Sequence, residues 1–166
     1  SRINGRQGNM SKKTVYNFLE LEFKKLYDDM KIFIENKELR NVFNNHKKLL
    51  KDIVYYIYFN NEIYYEKGLS IYDNIKLLRE ARLVDEYVEE MLLKALKNAE
   101  LYEERIDAKE DCFYDDIEIE RLADENFEKI YELIIWLVLT YGQENYQFLK
   151  ENLSDEYKEV FDKYSN

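Results

Sequence analysis

Proline is absent from this 166-residue sequence, and glycine occurs only four times. These two residues end helices and form most tight turns. A protein built of strands joined by short hairpins would therefore lack its usual turn residues. The scarcity of both residues predicts long helices and an all-α fold.

The sequence also lacks the thiols and the long apolar segments that other protein classes need. Its one cysteine, Cys112, excludes an internal disulfide and a zinc site built from several cysteines, and it suits a reducing cytoplasm. The longest apolar run, 133–139 (LIIWLVL), is far shorter than the roughly 20 residues of a membrane-spanning helix. No charged leader precedes an apolar stretch. We expect a cytoplasmic protein without a membrane segment.

Positive charge is in deficit, with 25 Lys and Arg against 35 Asp and Glu. Residues 1–9 (SRINGRQGN) have no apolar period, and we interpret them as expression-vector residues preceding a single domain at 10–166. Removing Arg2 and Arg6 with them changes the formal charge from −10 to −12. Such a charge repels phosphate backbones, so we expect no tight general binding of nucleic acid. The run 46–51 (HKKLLK) indicates either a local basic patch or a solvated helix face.

Apolar residues recur at spacings of three and four along most of the chain, which is the pattern of amphipathic helices. Residues 13–35 and 39–60 each carry one such stripe, although 55–59 admits a strand as an alternative. Ser70, with Asp73 three residues later, resembles the cap of a short helix that ends near Arg82. Residues 84–108 form the next predicted helix. Residues 122–141 form the most apolar helix, which we expect to be the most buried.

The remaining segments contain few apolar residues. The acidic stretch 110–120 has no apolar helical period and is predicted to be a connection. Gly142 stands where a left-handed C-terminal cap belongs, and 154–156 opens a short terminal helix with acidic residues in its first turn. No repeat or Gly/Ser-rich hinge occurs. The predicted architecture is a single-domain bundle of five to six helices.

Most catalytic signatures are missing, including a glycine-rich phosphate loop, HExxH and GxSxG. Carboxylate pairs occur at 28–29, 89–90, 103–104 and 115–116. The two-metal sites of helical bundles also use Glu-x-x-His, which this sequence does not contain. We interpret the pairs as solvated faces and predict neither a metal nor a cofactor.

The single histidine, His46, follows Arg40 and Asn41 in the string RNVFNNH (40–46). Near the start of a helix, such an arginine and histidine can face one cleft, where the guanidinium holds a phosphate while the imidazole moves a proton. The string resembles the R-N-x4-H form of the ribonuclease motif in the HEPN superfamily (higher eukaryote and prokaryote nucleotide-binding domains). Members of that superfamily are helical bundles that often dimerise to pair two motifs. The resemblance implies a metal-independent ribonuclease and makes a homodimer possible.

A wider resemblance covers 16–142, about three quarters of the chain. This segment is similar to the HEPN-like helical region near the N-terminus of type I restriction endonuclease R subunits and in stand-alone relatives. The stretches that carry it are NFLELEFKKLYDDM (17–30), HKKLLKDIVYYIY (46–58), GLSIYDNIKLLREARLVDEYVEEML (68–92) and FEKIYELIIWLVLTYG (127–142).

In that family the Arg–Asn–His element, where present, lies in the helix that corresponds to 92–104. Two registers of this sequence supply Leu96, Glu100 and Glu104, or Lys94, Asn98 and Tyr102. Neither contains arginine or histidine, and the string at 40–46 lies one helix earlier. The resemblance therefore implies a degenerate member that does not cleave.

Aromatic residues suggest where the core and a partner surface lie. Trp136 belongs to the most apolar helix and is predicted to be a core residue. Tyrosines border the break after the second helix, and we interpret them either as a partner-binding surface or as ordinary half-buried residues: Tyr55, Tyr56, Tyr64 and Tyr65.

Three functions remain open. The first is a catalytically degenerate HEPN-like interaction or regulatory module with a protein partner, which the resemblance places in bacterial or phage defence or counter-defence. The second is a metal-independent HEPN ribonuclease in which Arg40 holds phosphate, His46 transfers a proton and Asn41 orients them. The third is an acidic inhibitor that imitates the phosphates of DNA and occupies a partner's basic cleft. We favour the first.

Overall fold

The computed structural model describes residues 24–107 and 116–141. Every regular element in these ranges is a helix: α1 (Lys24–Glu35), α2 (Leu39–Asn60), α3 (Ile71–Glu80), α4 (Glu86–Asp107) and α5 (Asp116–Tyr141). The all-α prediction is confirmed for this part of the chain, and 55–59 belongs to the last turns of α2 rather than to a strand. None of the described helices combines the length and the apolar character needed to span a membrane.

Helix α2 lies at the centre of the bundle. It packs against all four other described helices, whereas α5 packs mainly on α2 and α4. Phe43, Leu50 and Ile57 lie two turns apart along α2 and are all buried. The expectation that 122–141 would be the most buried helix is therefore wrong, because α5 keeps one acidic face at the surface.

Helix α3 begins at the predicted cap. The hydroxyl of Ser70 accepts a hydrogen bond from the backbone N–H of Asp73 at 3.1 Å, which confirms the cap. The helix ends at Glu80, and Arg82 follows in the left-handed conformation with φ of 61°. Helix α4 then begins at Glu86, because the Asp85 carboxylate accepts a hydrogen bond from the N–H of Val88 at 2.9 Å.

Helices α1, α2 and α3 end in the same way. A residue with positive φ follows each one: Lys37 (61°), Glu62 (56°) and Arg82 (61°). The next N–H then donates back to a carbonyl five residues earlier, in the pairs Glu38 to Phe33 (2.7 Å), Ile63 to Tyr58 (3.1 Å) and Leu83 to Leu78 (2.9 Å). This is the Schellman arrangement, in which glycine usually occupies the left-handed position.

Helix α5 begins six residues earlier than 122–141 predicts. Residues 116–120 are helical, so the predicted connection over 110–120 is wrong for that part. Ile119 is buried one turn before Ala123, which extends the apolar stripe toward the N-terminus. Acidic side chains near a helix start are favoured by its dipole, and Glu120 also pairs with the Lys37 ammonium at 3.0 Å.

Residues 1–23, 108–115 and 142–166 lie outside the described part of the chain. Several predictions fall in these segments and therefore lie outside the described residues. They are the expression-vector interpretation of 1–9, the part of the first predicted helix at 13–23, Cys112, the cap at Gly142 and the terminal helix predicted to open at 154. The predicted domain bounds, 10–166, extend beyond the described ranges as well.

Candidate functional site

The only histidine of the chain lies inside the bundle. His46 is 1% exposed, and its ring contacts those of Phe43 at 5.4 Å and Phe127 at 5.7 Å between centroids. Its Nδ1 lies 3.0 Å from the side-chain nitrogen of Asn126, which comes from α5. Burial lowers the pKa of His46 from 6.5 to about 3.

The amide of Asn126 fixes the tautomer of His46. Its Oδ1 accepts a hydrogen bond from Asn98 at 3.2 Å, and its Nδ2 donates to the carbonyl of Ala95 at 3.1 Å. With the amide oriented in this way, the second Nδ2 hydrogen points at Nδ1 of His46, which must accept it. The imidazole is therefore neutral and carries its proton on Nε2.

Arg40 and Asn41 lie at the surface, away from His46. The guanidinium of Arg40 forms a salt bridge with Asp107 at the end of α4, at 2.9 Å, and this carboxylate raises the pKa of Arg40. Asn41 donates to the carboxylate of Glu38 at 3.1 Å. Six residues along a helix correspond to a rotation that leaves Arg40 and His46 about 120° apart. The structure does not bring the three predicted residues to one cleft.

A half-open cavity of about 660 Å³ lies between α2, the loop after it, the start of α3 and α4. We call it the lysine–tyrosine pocket, because its walls include Lys47, Lys51, Lys67, Tyr55 and Tyr65. The apolar part of its lining is supplied by Leu69, Ile71 and Leu96.

The basic run 46–51 divides between the core, the pocket and solvent. His46, Leu49 and Leu50 are buried. Lys47 and Lys51, one turn apart, line the lysine–tyrosine pocket, while Lys48 is exposed and does not line it. Both interpretations of the run thus hold for part of it, with a basic patch at the pocket and a solvated lysine beside it.

The lysines of the pocket differ in whether a carboxylate forms an ion pair with them. Lys47 pairs with Glu103 at 2.9 Å, and that carboxylate is only 15% exposed. Lys51 and Lys67 are exposed, and neither has an ion-pair partner among the described residues. The carboxylate of Glu100, which also lines the pocket, accepts a hydrogen bond from Tyr72. Lys51 and Lys67 are therefore exposed cations of the pocket outside any ion pair of the described residues, and the carboxylates of Asp52 and Glu100 line the pocket with them.

The four tyrosines in the last turns of α2 and in the loop after it do not share one environment. Tyr55 and Tyr65 line the pocket with ring centroids 5.7 Å apart in an edge-to-face arrangement. Tyr56 is buried and Tyr64 is exposed. Tyr58, which the sequence did not single out, joins α2 to α3 because its hydroxyl donates to the carbonyl of Asn74 at 2.7 Å. Buried, half-buried and exposed positions thus all occur within this group.

A second depression, the acidic groove, runs between α4 and α5 and encloses about 500 Å³. Five carboxylates line it: Glu86, Glu90, Glu125, Glu128 and Glu132. Tyr87 spans the groove and donates to Glu132 at 3.1 Å. The pKa of Asp124, beside the groove on α5, is raised by burial and then by Glu120 and Glu128.

Two of the predicted solvated carboxylates are instead ion-paired. Glu89 receives the guanidinium of Arg79 at 2.8 Å, and Glu103 receives Lys47, so each joins α4 to another helix. The described residues contain no group of three or more His, Cys, Asp or Glu that could hold a metal ion.

Trp136 was predicted to be a core residue, which is only partly correct. Its indole packs against the edge of the core and is partly exposed, with the ring of Tyr141 at 6.0 Å. It lines a shallow cavity beside the α3–α4 turn together with Arg79 and Thr140. Helical spacing alone did not separate this position from Leu133 and Leu137, which are fully buried.

Among the described residues the structure thus offers a buried neutral histidine, a pocket of mixed charge with exposed lysines, and an acidic groove. The run HKKLLK and the neighbouring tyrosines indicated residues that line the lysine–tyrosine pocket. No sequence pattern indicated the hydrogen bonds of Asn98 and Asn126 near His46. Comparison with protein-family models, curated proteins and solved structures gave no match. Functional inference therefore starts from these three features.

Proposed function

We propose that this chain is a catalytically degenerate HEPN-like module that acts by binding another protein, in the defence or counter-defence setting that its resemblance implies. One observation carries the proposal. The single histidine of the chain, His46, is 1% exposed and hydrogen-bonded to Asn126 in the core. A general acid or base must reach its substrate and titrate near the working pH, and burial lowers the pKa of His46 to about 3.

The position of Arg40 supports the same proposal. A phosphate-holding arginine needs its guanidinium free and directed toward the proton-transfer group. Arg40 instead uses two of its nitrogens on Asp107, at 2.9 and 3.4 Å, on the outside of the bundle. This pair tethers the start of α2 to the end of α4, which is a structural role.

The surface features favour binding over catalysis. The lysine–tyrosine pocket, at about 660 Å³, falls in the size range of ligand and anchor-residue pockets, and tyrosine is enriched at protein interfaces. It displays two lysines without ion-pair partners among the described residues. The tyrosines and lysines of the pocket supply contact area and charge for binding. Its described lining residues do not place a nucleophile within hydrogen-bond distance of a general base.

Metal-free cleavage of single-stranded RNA tests the proposal. We expect the purified protein, in EDTA, to give no cleavage above a buffer blank. Arg40→Ala is the informative variant, because Arg40 is exposed and its loss leaves the core intact. Lys48→Ala, also exposed on α2, is the matched control. Cleavage that Arg40→Ala abolishes and Lys48→Ala retains would establish the ribonuclease and refute the binding-only proposal.

The acidic groove favours a second candidate function, an inhibitor that imitates DNA. Five carboxylates against Lys94 and Lys129 give this groove a clear negative excess, and DNA mimics act by presenting such charge to a basic cleft. This candidate requires a partner that itself binds DNA and releases it when the protein is added. Neutralising Glu86, Glu90 and Glu132 with glutamine would then restore the DNA complex, whereas a partner held at the lysine–tyrosine pocket would be unaffected.

A further inference from the structure

We propose that the lysine–tyrosine pocket binds an acidic segment of a partner protein, with one aromatic or aliphatic side chain of that segment seated in the cavity. This inference rests on the proposed function, because it names the part of the partner that the module recognises. Three observations support the proposal: the shape of the pocket, the charge of its lining and its tyrosines.

Charge determines which partner fits. The chain as a whole carries a formal charge of −10, so most of its surface repels an acidic segment. The pocket departs from this balance, because its lining holds three lysines against the two carboxylates of Asp52 and Glu100, and Lys51 and Lys67 have no ion-pair partner among the described residues. These two lysines come from separate elements, one on α2 and one on the loop after it, and together they favour a ligand that carries negative charge.

The carboxylates of the pocket do not cancel this preference. Glu100 accepts a hydrogen bond from Tyr72. Asp52 lies close enough to Tyr65 to raise its pKa, after the larger effect of burial. Both carboxylates are thus half-buried, whereas Lys51 and Lys67 are exposed. An acidic segment would meet the lysines first.

The lining explains the need for an anchor side chain. Leu69 is exposed although it is a large apolar residue, and with Ile71 and Leu96 it gives the pocket an apolar surface. Tyr55 and Tyr65 stand edge to face and form an adjacent wall. A flat or branched apolar side chain that entered here would cover Leu69 and pack on these rings, as anchor residues do at interface hot spots.

The other depressions do not carry the same inference. The acidic groove shares the sign of the whole molecule, so its charge selects no partner that the rest of the surface would not also attract. The cavity beside Trp136 mixes Arg79 and Arg82 with Glu80, Asp85 and Glu86 and favours neither sign. Of these three depressions among the described residues, the lysine–tyrosine pocket alone has more cations than carboxylates in its lining.

Fluorescence anisotropy with a synthetic peptide tests the proposal on the full chain. The probe is a fluorescein-labelled seven-residue peptide of alternating Glu and Asp with one central phenylalanine. We expect a Kd at or below about 100 µM at 50 mM NaCl, the scale of a short single-anchor contact. Binding should weaken several-fold at 300 mM NaCl, because exposed charges are then screened.

Matched variants locate the binding. Lys51→Gln with Lys67→Gln should weaken binding about tenfold or more, whereas Lys48→Gln with Lys76→Gln, which removes two exposed lysines outside the pocket, should change it less than twofold. Leu69→Ala should weaken binding at least threefold, with Leu77→Ala as its control on the exposed side of α3. A peptide with glycine in place of phenylalanine should bind at least tenfold more weakly.

Three outcomes would overturn the proposal: no binding of the phenylalanine peptide, equal loss in the pocket and control variants, or equal affinity for the glycine peptide. Each of these leaves the RNA assay unchanged, so the non-catalytic function would survive the loss of this pocket's role. Metal-free cleavage that depends on Arg40 would instead refute the proposed function, whatever the peptide does.

Discussion

At the scale of single residues, the environment of His46 shows that residues close in sequence on one helix can lie in different surroundings. Arg40, Asn41 and His46 lie in sequence as a ribonuclease motif would have them, yet the helix turns the histidine inward and the arginine outward. The imidazole can be buried because Asn126, eighty residues away in sequence, donates a hydrogen bond to it. That hydrogen bond offsets the cost of removing the ring nitrogen from water. No local pattern around 40–46 reveals that contact.

The lowered pKa of His46 predicts a loss of stability in acid. The unfolded chain takes up a proton at His46 below pH 6.5, whereas the folded protein does so only near pH 3. The stability that neutral His46 contributes is therefore complete above pH 6.5 and falls as the pH decreases toward 3. At pH 4 the loss from this residue is roughly 3 kcal/mol, at 1.36 kcal/mol per pH unit.

Urea denaturation at pH 7 and pH 4.5 measures this effect. His46→Gln, which cannot titrate, should show a smaller difference between the two pH values than the wild-type protein does, by about 2–3 kcal/mol. The carboxylates titrate in both proteins, so they cancel in the comparison. An equal difference in both proteins would mean that His46 is not protected from protonation in the folded state.

At the scale of elements, the start of α3 shows what local sequence predicts well. Ser70 and Asp73 were recognised as a cap from spacing alone, and the hydroxyl of Ser70 accepts the Asp73 N–H at 3.1 Å. A cap depends on residues within one turn, so no distant contact is needed to form it. The bounds of α2 were also predicted, because its apolar stripe ends at Asn60.

Loss of this cap should be measurable. Ser70→Ala should lower the free energy of unfolding by about 1 kcal/mol, since it leaves an N–H of the first turn of α3 without its acceptor. Ser70→Asp should retain most of the stability, because a carboxylate caps as well as a hydroxyl does. Chemical denaturation of the three proteins side by side gives the comparison, and equal stability of the Ala and Asp variants would show that the cap contributes little.

The start of α5 shows where local patterns fail. The acidic stretch 110–120 looked like a connection, but from Asp116 onward it is helical. Ile119 supplies a buried contact, Lys37 pairs with Glu120, and Arg121 pairs with Glu118 at 2.6 Å and with Glu125. One of these contacts comes from the loop after α1, so a window of sequence around 116–120 cannot show it.

At the scale of the whole molecule, α2 links the bundle together. Every other described helix packs on it, so a cavity in α2 disturbs several interfaces at once. The lysine–tyrosine pocket depends on the same arrangement, because its lysines and tyrosines come from α2 and the following loop while Leu96 comes from α4. The sequence indicated each component of the pocket but not that they meet, since their convergence is a product of helix packing.

Truncation of a central residue should therefore affect all helices together. Leu50→Ala removes a buried side chain of α2 and should cost about 2–5 kcal/mol, with helical circular dichroism and tryptophan fluorescence changing in one shared transition. Leu77→Ala, on the exposed side of α3, should cost less than about 1 kcal/mol. Two separate transitions in the Leu50→Ala protein would show that the helices unfold as independent units.

The ends of α1, α2 and α3 are positions at which substitutions could increase the stability of the protein. Lys37, Glu62 and Arg82 adopt a backbone geometry that costs a residue with a side chain about 1 kcal/mol or more and costs glycine almost nothing. The protein is thus less stable than the same backbone would be with glycine at these positions. Most natural proteins are likewise below their maximum stability, because selection removes only mutations that reduce stability too far for function. A laboratory selection for heat resistance should recover glycine at positions 37, 62 and 82 before it alters the core.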